Sequence, residues 1–216
     1  PATKPAIPKL CSTATSIRLL MPISTAKWVV LRSMQWLGVA PILGSWIVAA
    51  VLLTRWRGHK GMSISAHGAT TNCSYLLFAL TLTLYALSYG TFAFSWLIPR
   101  LQLPPVFGVA ASLAVACLLA TAWIRDNNGG DNRKHGTPAY SMAALMAVQL
   151  GIIAASPTLS LIVRGLLIAT TLYMIIAFYL FFFVPRVKPY YLWFQGGYVL
   201  SFQLSILAII AQTWLL

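Results

Sequence analysis

The sequence predicts an all-α integral membrane protein, a polytopic bundle of six transmembrane helices that follows an N-terminal surface arm. Of its 216 residues, 59% are hydrophobic and only 8% are charged, whereas soluble domains carry about 25% charged residues. The hydrophobic residues form runs close to the roughly 20 residues that a helix needs to cross the bilayer core. Because these runs do not alternate as barrel strands do, helices are the predicted spanning element.

Residues 1–35 differ in composition, and we assign them to a basic N-terminal arm. Pro1–Thr15 is rich in Pro, Ser, Thr and Ala, which favours an extended chain. Ile17–Gln35 has apolar residues interrupted by basic ones, a pattern typical of a helix that lies on the membrane surface. The basic, acid-free composition of the arm also resembles a mitochondrial presequence.

Residues 36–216 form the predicted transmembrane domain. The six spans are Trp36–Leu53, Tyr75–Ile98, Val106–Ile124, Tyr140–Ala155, Leu159–Val184 and Tyr190–Leu216. Six spans place both termini on one side of the membrane and the loops after spans one, three and five on the other. The positive charge of the arm on the first side is balanced by that of these loops on the second. The positive-inside rule therefore leaves orientation open unless the arm is discounted, in which case these odd-numbered loops face the cytoplasm or matrix. The sequence is equally consistent with a mitochondrial and a bacterial inner membrane.

Charge is distributed unevenly along the chain. The net charge is +13, but the basic residues flank apolar runs and do not form the continuous basic surface of a nucleic-acid-binding protein. The two acidic residues, Asp126 and Asp131, lie in the loop after span three, and glutamate is absent. The spans consequently contain no carboxylate for proton transfer or metal binding.

Polar residues that can support chemistry follow two of the spans. His67 and Asn72 come after span one, and Asp126, Asp131 and His135 come after span three. Loops one and three lie on the same side of a six-span protein, so these side chains can meet. Two His and two Asp can form a metal site or an acid–base pair. The alternative is a solvated, flexible loop rich in Asn and Gly.

Three basic residues are predicted to contact lipid headgroups: Arg164, Arg186 and Lys188. Arg164 is the one charge expected within a span, where it can snorkel to the headgroups, form a buried pair or serve transport. Two further polar residues, Gln149 and Gln203, fall in the middle of spans, and we expect them to bond across to neighbouring helices.

The stretch Gln35–Leu53, followed by Ile64–Thr70 and a long second span, resembles the six-span DUF998 family, which is also similar to the Frag1/DRAM/Sfk1 membrane proteins. That family tends to show Ile-Ser-Glu-Leu-Gly after its first span. It also tends to show an Asp, then a His before a small-residue helix, between spans three and four. Asp126 and His135–Ala139 would occupy those places, and Phe194 with Gln195 resembles the polar start of its last helix.

The chain departs from this pattern where the family has its glutamate, because Ala66 stands there and His67 follows. If that carboxylate serves a reaction or a proton path, this protein lacks it. The resemblance covers residues 35–216 and implies a six-span architecture more than an activity.

These features favour a non-catalytic, multi-pass subunit or scaffold of a larger membrane complex, and an energy-converting membrane would suit the presequence-like arm. Its expected partners are the lipid bilayer and other membrane chains, contacted through the arm and the outer faces of the spans. The alternatives are a transporter of small molecules or lipids and a membrane enzyme that uses residues 126–135. The sequence contains no cofactor motif, and we expect structural phospholipids.

Overall fold

The computed structural model describes the backbone of residues 25–56, 62–126 and 133–215, and side chains within these ranges from residue 33 to 214. Across these residues every regular element is helical, which confirms the predicted all-α class. The α-helices are α1 (Thr25–Arg55), α2 (Ile64–Gly68), α3 (Asn72–Phe92), α4 (Ile98–Leu101), α5 (Pro105–Trp123), α6 (Arg133–Ala154), α7 (Leu161–Phe183) and α8 (Tyr191–Leu215). A π-helical turn, Ala93–Leu97, joins α3 to α4, and a 3₁₀ turn, Pro185–Tyr190, precedes α8.

Six segments of the described chain are long and apolar enough to cross a membrane, as predicted. They are Ser33–Arg55, Asn72–Leu101, Pro105–Trp123, Arg133–Ala154, Leu161–Phe183 and Pro185–Trp214. Many large apolar side chains point outward; those of Leu161 and Ile162 are 83% and 85% exposed. An apolar exterior of this kind requires lipid around it, so the protein is an integral membrane protein.

Two helices begin about two turns or more before their predicted starts. α1 is continuous from Thr25, so residues 25–35 of the predicted arm form its first turns. An arm along the membrane surface stays a prediction, because residues 1–24 lie outside the described chain. α6 begins at Arg133 rather than Tyr140 and includes His135. Hydropathy misses this start because the first turns are polar, although their backbone groups can continue the helix.

The second span changes helical geometry near Pro99. The Ile98 amide donates to the Ala93 carbonyl, five residues back, which defines the π turn. Pro99 has no N–H, so it cannot donate to the carbonyl one turn earlier, and such a position favours a local change in the hydrogen-bond ladder. The span ends at Gln102, whose φ of 52° is left-handed and reverses the chain toward α5.

The six long helices pack in a ring in the order α1, α3, α5, α6, α7 and α8, and α8 returns to contact α1. We call the end that carries the loops after spans one, three and five the odd-loop end, and the opposite end the even-loop end. Most of the large, fully buried side chains fill the half of the bundle toward the even-loop end. Examples are Phe92, Trp96, Leu97, Leu101, Phe107, Leu150 and Ile153.

α1 comes closest to its neighbours in this packed half. A Cβ at Gly38 would lie 2.9 Å from Cδ1 of Ile210 on α8 and 3.0 Å from Cε2 of Phe92 on α3. Near the same end, Gln35 donates to Thr213 at 3.2 Å and accepts a hydrogen bond from the indole of Trp214. α1 and α8 are therefore held together at the even-loop end.

Candidate functional site

The half of the bundle toward the odd-loop end encloses a cavity of about 960 Å³. Its walls come from α1, α3, α5, α6, α7 and α8, and its mouth is formed by the start of α2 and the residues after α5. Ligand pockets in proteins span about 300–1,000 Å³, so this cavity has room for a large organic molecule.

The cavity reaches about halfway across the membrane. On α8 its lining extends from Tyr191 to Gln203, which at 1.5 Å per residue is a depth of about 18 Å. The hydrocarbon core is about 30 Å thick, and the packed half of the bundle fills the remainder. Along α8 the cavity is therefore about as deep as one leaflet is thick, and the packed half of the bundle closes its inner end.

The walls are mostly apolar and continue to the outer surface of the bundle. Leu52, Phe78 and Phe178 are among the residues that line the interior. Two further lining residues on α8, Trp193 and Leu200, are 67% and 43% exposed. Because they belong to both the cavity and the outer face, the cavity adjoins the lipid around the protein.

A hydrogen-bonded group closes the cavity in the middle of the membrane. The Trp46 indole donates to Gln203 Oε1 at 2.5 Å, and Gln203 Nε2 donates to Ser45 Oγ at 3.1 Å. Gln203 is 3% exposed, so these bonds satisfy an amide that is costly to bury alone. They also confirm the prediction that this mid-span glutamine bonds to a neighbouring helix.

Gln149 confirms the same prediction at a second place. Its Oε1 accepts a hydrogen bond from the Tyr89 hydroxyl, which links α6 to α3. It does not line the large cavity but borders a separate space of about 10 Å³, and its Nε2 has no partner within the described chain.

Asp126 lies at the mouth of the large cavity and is only 7% exposed. Its Oδ2 accepts hydrogen bonds from Ser63 Oγ at 3.0 Å and from Ser65 Oγ at 2.9 Å. Ser63 is the N-cap of α2, where its Oγ also accepts from the Ala66 amide at 2.9 Å. The capping turn thus places two hydroxyl groups against the buried carboxylate.

His135 lines the same end of the cavity from the first turns of α6 and is 5% exposed. Its Nδ1 lies 2.5 Å from the Ile124 carbonyl oxygen. A carbonyl only accepts, so Nδ1 carries the proton and Nε2 of the neutral ring is an acceptor. Nε2 is buried and has no partner among the described residues, which is uncommon for a polar atom in a protein interior.

The other residues of the predicted polar cluster have separate contacts. His67 is 2% exposed and donates from Nδ1 to the Ser63 carbonyl at 2.8 Å, but it does not line the cavity. Asn72 Oδ1 accepts from Arg125 Nη1 at 3.0 Å, and Arg125 Nη2 donates to the Ala69 carbonyl at 2.8 Å. Loops one and three therefore meet, although the cluster is divided. Asp131 lies outside the described residues.

Three residues near this mouth were not assigned to the site from the sequence: Ser63 was not singled out, and Ser65 and Gln195 entered only through the family resemblance. Gln195 accepts from the Ile64 amide at 2.7 Å and so attaches α8 to the start of α2. The one available signal was the position of Ser63, Ser65 and Gln195 after odd-numbered spans, which places them at the same end as Asp126.

The three predicted headgroup contacts also occupy different settings. Arg164 Nε donates to the Ala154 carbonyl at 3.1 Å, at the C-terminus of α6, where a positive charge favourably meets the helix dipole. Arg186 and Lys188 are exposed on the 3₁₀ turn at the odd-loop end, where phospholipid headgroups would surround them.

The described residues contain no group of three His, Cys, Asp or Glu side chains placed to hold a metal ion. Asp126 and His135 do reach one cavity, but the described residues around them supply no third ligand for a metal. The geometry fits hydrogen bonding to an organic molecule better than metal coordination.

Fold and site together define a polytopic helical membrane protein with an amphipathic cavity as deep as one leaflet. The chain matches no protein-family model, no curated protein and no solved structure.

Proposed function

We propose that this protein binds a membrane lipid, with the polar head at Asp126 and His135 and the hydrocarbon tail in the apolar part of the cavity. The observation that carries the proposal is the cavity itself. It is apolar along its walls, polar at the membrane surface, and about one leaflet deep. A lipid has the same arrangement of polar and apolar parts over the same length.

The surroundings of the cavity support this proposal. Trp193 and Leu200 extend its lining to the outer surface, so a lipid can enter sideways from the odd-loop leaflet. The packed half closes the path toward the opposite leaflet. Binding within one leaflet is thus the function that this conformation supports, and transfer across the membrane would require the packed half to open.

This proposal favours the lipid-transporter alternative over the scaffold that the sequence favoured. Membership of a larger complex stays a prediction, since the exposed apolar faces suit lipid as well as a partner chain. An enzyme that uses residues 126–135 also stays a prediction. Asp126 and His135 would place its chemistry at the lipid head, and Asp131 lies outside the described chain.

A pair of adjacent alanines on α1 provides the test. Ala49 lines the cavity, whereas Ala50 is exposed on the outer face. Ala49→Trp would fill part of the cavity, and Ala50→Trp would add the same side chain where lipid already surrounds the helix. Native mass spectrometry of the gently extracted proteins would count retained phospholipids.

We expect wild type and Ala50→Trp to retain one lipid that Ala49→Trp loses. All three proteins should unfold at similar temperatures, which checks that the cavity variant still folds. Equal lipid retention by the two tryptophan variants would contradict the proposal.

A further inference from the structure

We propose that the acyl chain of a phospholipid enters and leaves the cavity through an opening between α1 and α8, within the leaflet at the odd-loop end. This inference rests on the proposed lipid-binding function and names the seam between helices that the lipid uses. We call the opening the lateral portal. Its edges are cavity-lining residues of the two helices, Ala49 and Leu53 on α1 and Trp193, Gly196 and Leu200 on α8.

α1 and α8 are held together in the even-loop half of the bundle and in the middle of the membrane. Toward the even-loop end, a Cβ at Gly38 on α1 would lie 2.9 Å from Cδ1 of Ile210 on α8. In the middle of the membrane, Gln203 on α8 bonds to Ser45 and Trp46 on α1. The two helices are therefore in contact up to the floor of the cavity.

The same face of α8 is open on the odd-loop side of this floor. Four residues of the helix are spaced by three or four positions, Trp193, Gly196, Leu200 and Gln203. Residues with this spacing share one helix face, and Gln203 shows that this face points toward α1. A Cβ at Gly196 would meet no atom of another helix within 4 Å, and Trp193 and Leu200 are 67% and 43% exposed. The seam between α1 and α8 therefore widens toward the odd-loop end.

The seam on the other side of α8 is closed at the same depth. A Cβ at Gly197 would lie 2.7 Å from the hydroxyl oxygen of Tyr173 on α7. One turn nearer the odd-loop end, Tyr191 stacks on Phe181 of α7 with their ring centroids 4.5 Å apart. The adjacent glycines Gly196 and Gly197 thus distinguish the two sides of α8, which is packed against α7 and open toward α1.

α2 bounds the portal at the membrane surface. It contacts α1, α3 and α8, and its Ile64 amide donates to Gln195 Oε1 on α8 at 2.7 Å. From Gln195 to Gln203, α8 rises about 12 Å, whereas half of the hydrocarbon core is about 15 Å thick. The portal therefore lies within the hydrocarbon of one leaflet. An acyl chain can pass between its apolar edges while the head group stays at the surface, so no polar group has to enter hydrocarbon.

Lipid exchange, measured by native mass spectrometry on the purified full chain, tests this route. The protein is loaded in mixed micelles with phosphatidylethanolamine whose acyl chains are deuterated. An excess of unlabelled phosphatidylethanolamine is then added, and the mass of the retained lipid is followed over time. The rate at which the labelled lipid is replaced is the exchange rate.

Leu200→Ala widens the portal, and Leu204→Ala is its matched control. Leu204 lies one turn further along α8, is 49% exposed and does not line the cavity. We expect exchange to be about tenfold faster in Leu200→Ala, because a passing chain no longer has to displace part of the contacts of one leucine side chain. Equal exchange rates in the two variants would overturn the portal.

Gly196→Trp should have the opposite effect, because the indole would occupy the open space between α1 and α8. Gly165→Trp is its control, since Gly165 is exposed on α7, lies outside the cavity and also has no atom of another helix near its Cβ position. We expect Gly196→Trp to take up labelled lipid at least about tenfold more slowly than this control, and equal uptake would contradict the portal. A tryptophan that merely filled the cavity would not account for faster exchange in Leu200→Ala.

The two proposals fail in different ways. If wild type retains lipid but the rates are equal within each pair of variants, the portal is wrong and lipid binding stands. Failure of wild type to retain any lipid would refute the proposed function itself.

Discussion

Replacing Gly38 by alanine tests whether the bundle is packed shut below the cavity. The added Cβ would lie 2.9 Å from Ile210 Cδ1 and 3.0 Å from Phe92 Cε2. Both neighbours have little room to move, since Ile210 is 2% exposed and Phe92 is fully buried. Overpacking of this kind costs about 1–3 kcal/mol.

Gly44 is the matched control on the same helix, because a Cβ there would have no neighbouring atom within 4 Å. Gly→Ala raises helix propensity by about 1 kcal/mol at either position, so this gain cancels between the two variants. Gly38→Ala should therefore be about 1–3 kcal/mol less stable than Gly44→Ala. The difference in free energy of unfolding would be measured in mixed micelles, by unfolding each variant reversibly with an increasing fraction of a denaturing detergent. Equal stabilities would refute the close packing of α1 against α3 and α8.

Three further variants test the polar contacts. Gln203→Leu should lower the free energy of unfolding by about 1–3 kcal/mol, because it removes a buried amide and leaves the half-buried Trp46 indole without its acceptor. Adding Trp46→Phe should recover part of the loss in the same unfolding assay. Ser65→Ala should lower the free energy of unfolding by about 1.5–3 kcal/mol, because it removes a hydrogen-bond donor to the Asp126 carboxylate. A smaller loss in an Asp126→Asn background would show that Ser65 and Asp126 are coupled. Arg164→Leu should lower the free energy of unfolding by about 0.3–1 kcal/mol and speed amide hydrogen exchange in the last turn of α6, because it removes the positive charge at that helix end. Loss of bound lipid from the same variant would instead favour the predicted contact with a lipid headgroup.

The sequence predicts the outline of the fold because length and hydropathy are enough to locate membrane spans. It also predicts that Gln149 and Gln203 bond across helices, since a buried amide needs a partner. The placement of loops one and three at the same end follows from the two spans that separate them. These predictions depend on local composition or on topology, and neither requires side-chain geometry.

The cavity could not be predicted in this way. Its walls are built from residues such as Leu52 and Phe178, which in sequence look the same as core or lipid-facing residues. The sequence also left a solvated polar loop open as an alternative, and that alternative does not hold for Asp126 and His135, which are 7% and 5% exposed. His135 is buried because α6 starts earlier than its apolar run. Asp126 is buried because Ser63 and Ser65 donate hydrogen bonds to it, and the spacing of charged residues does not reveal these donors.

Photo-crosslinking with two phospholipids that carry a photoactivatable group, one on the head and one at the end of an acyl chain, tests the central claim most directly. Labelled peptides are identified by mass spectrometry of the full chain in lipid nanodiscs. The account predicts that the tail probe labels cavity-lining positions such as Trp46 and Ala49, and that the head probe labels residues near His135. Tail labels confined to outer positions such as Ile162, with none in the cavity, would contradict it.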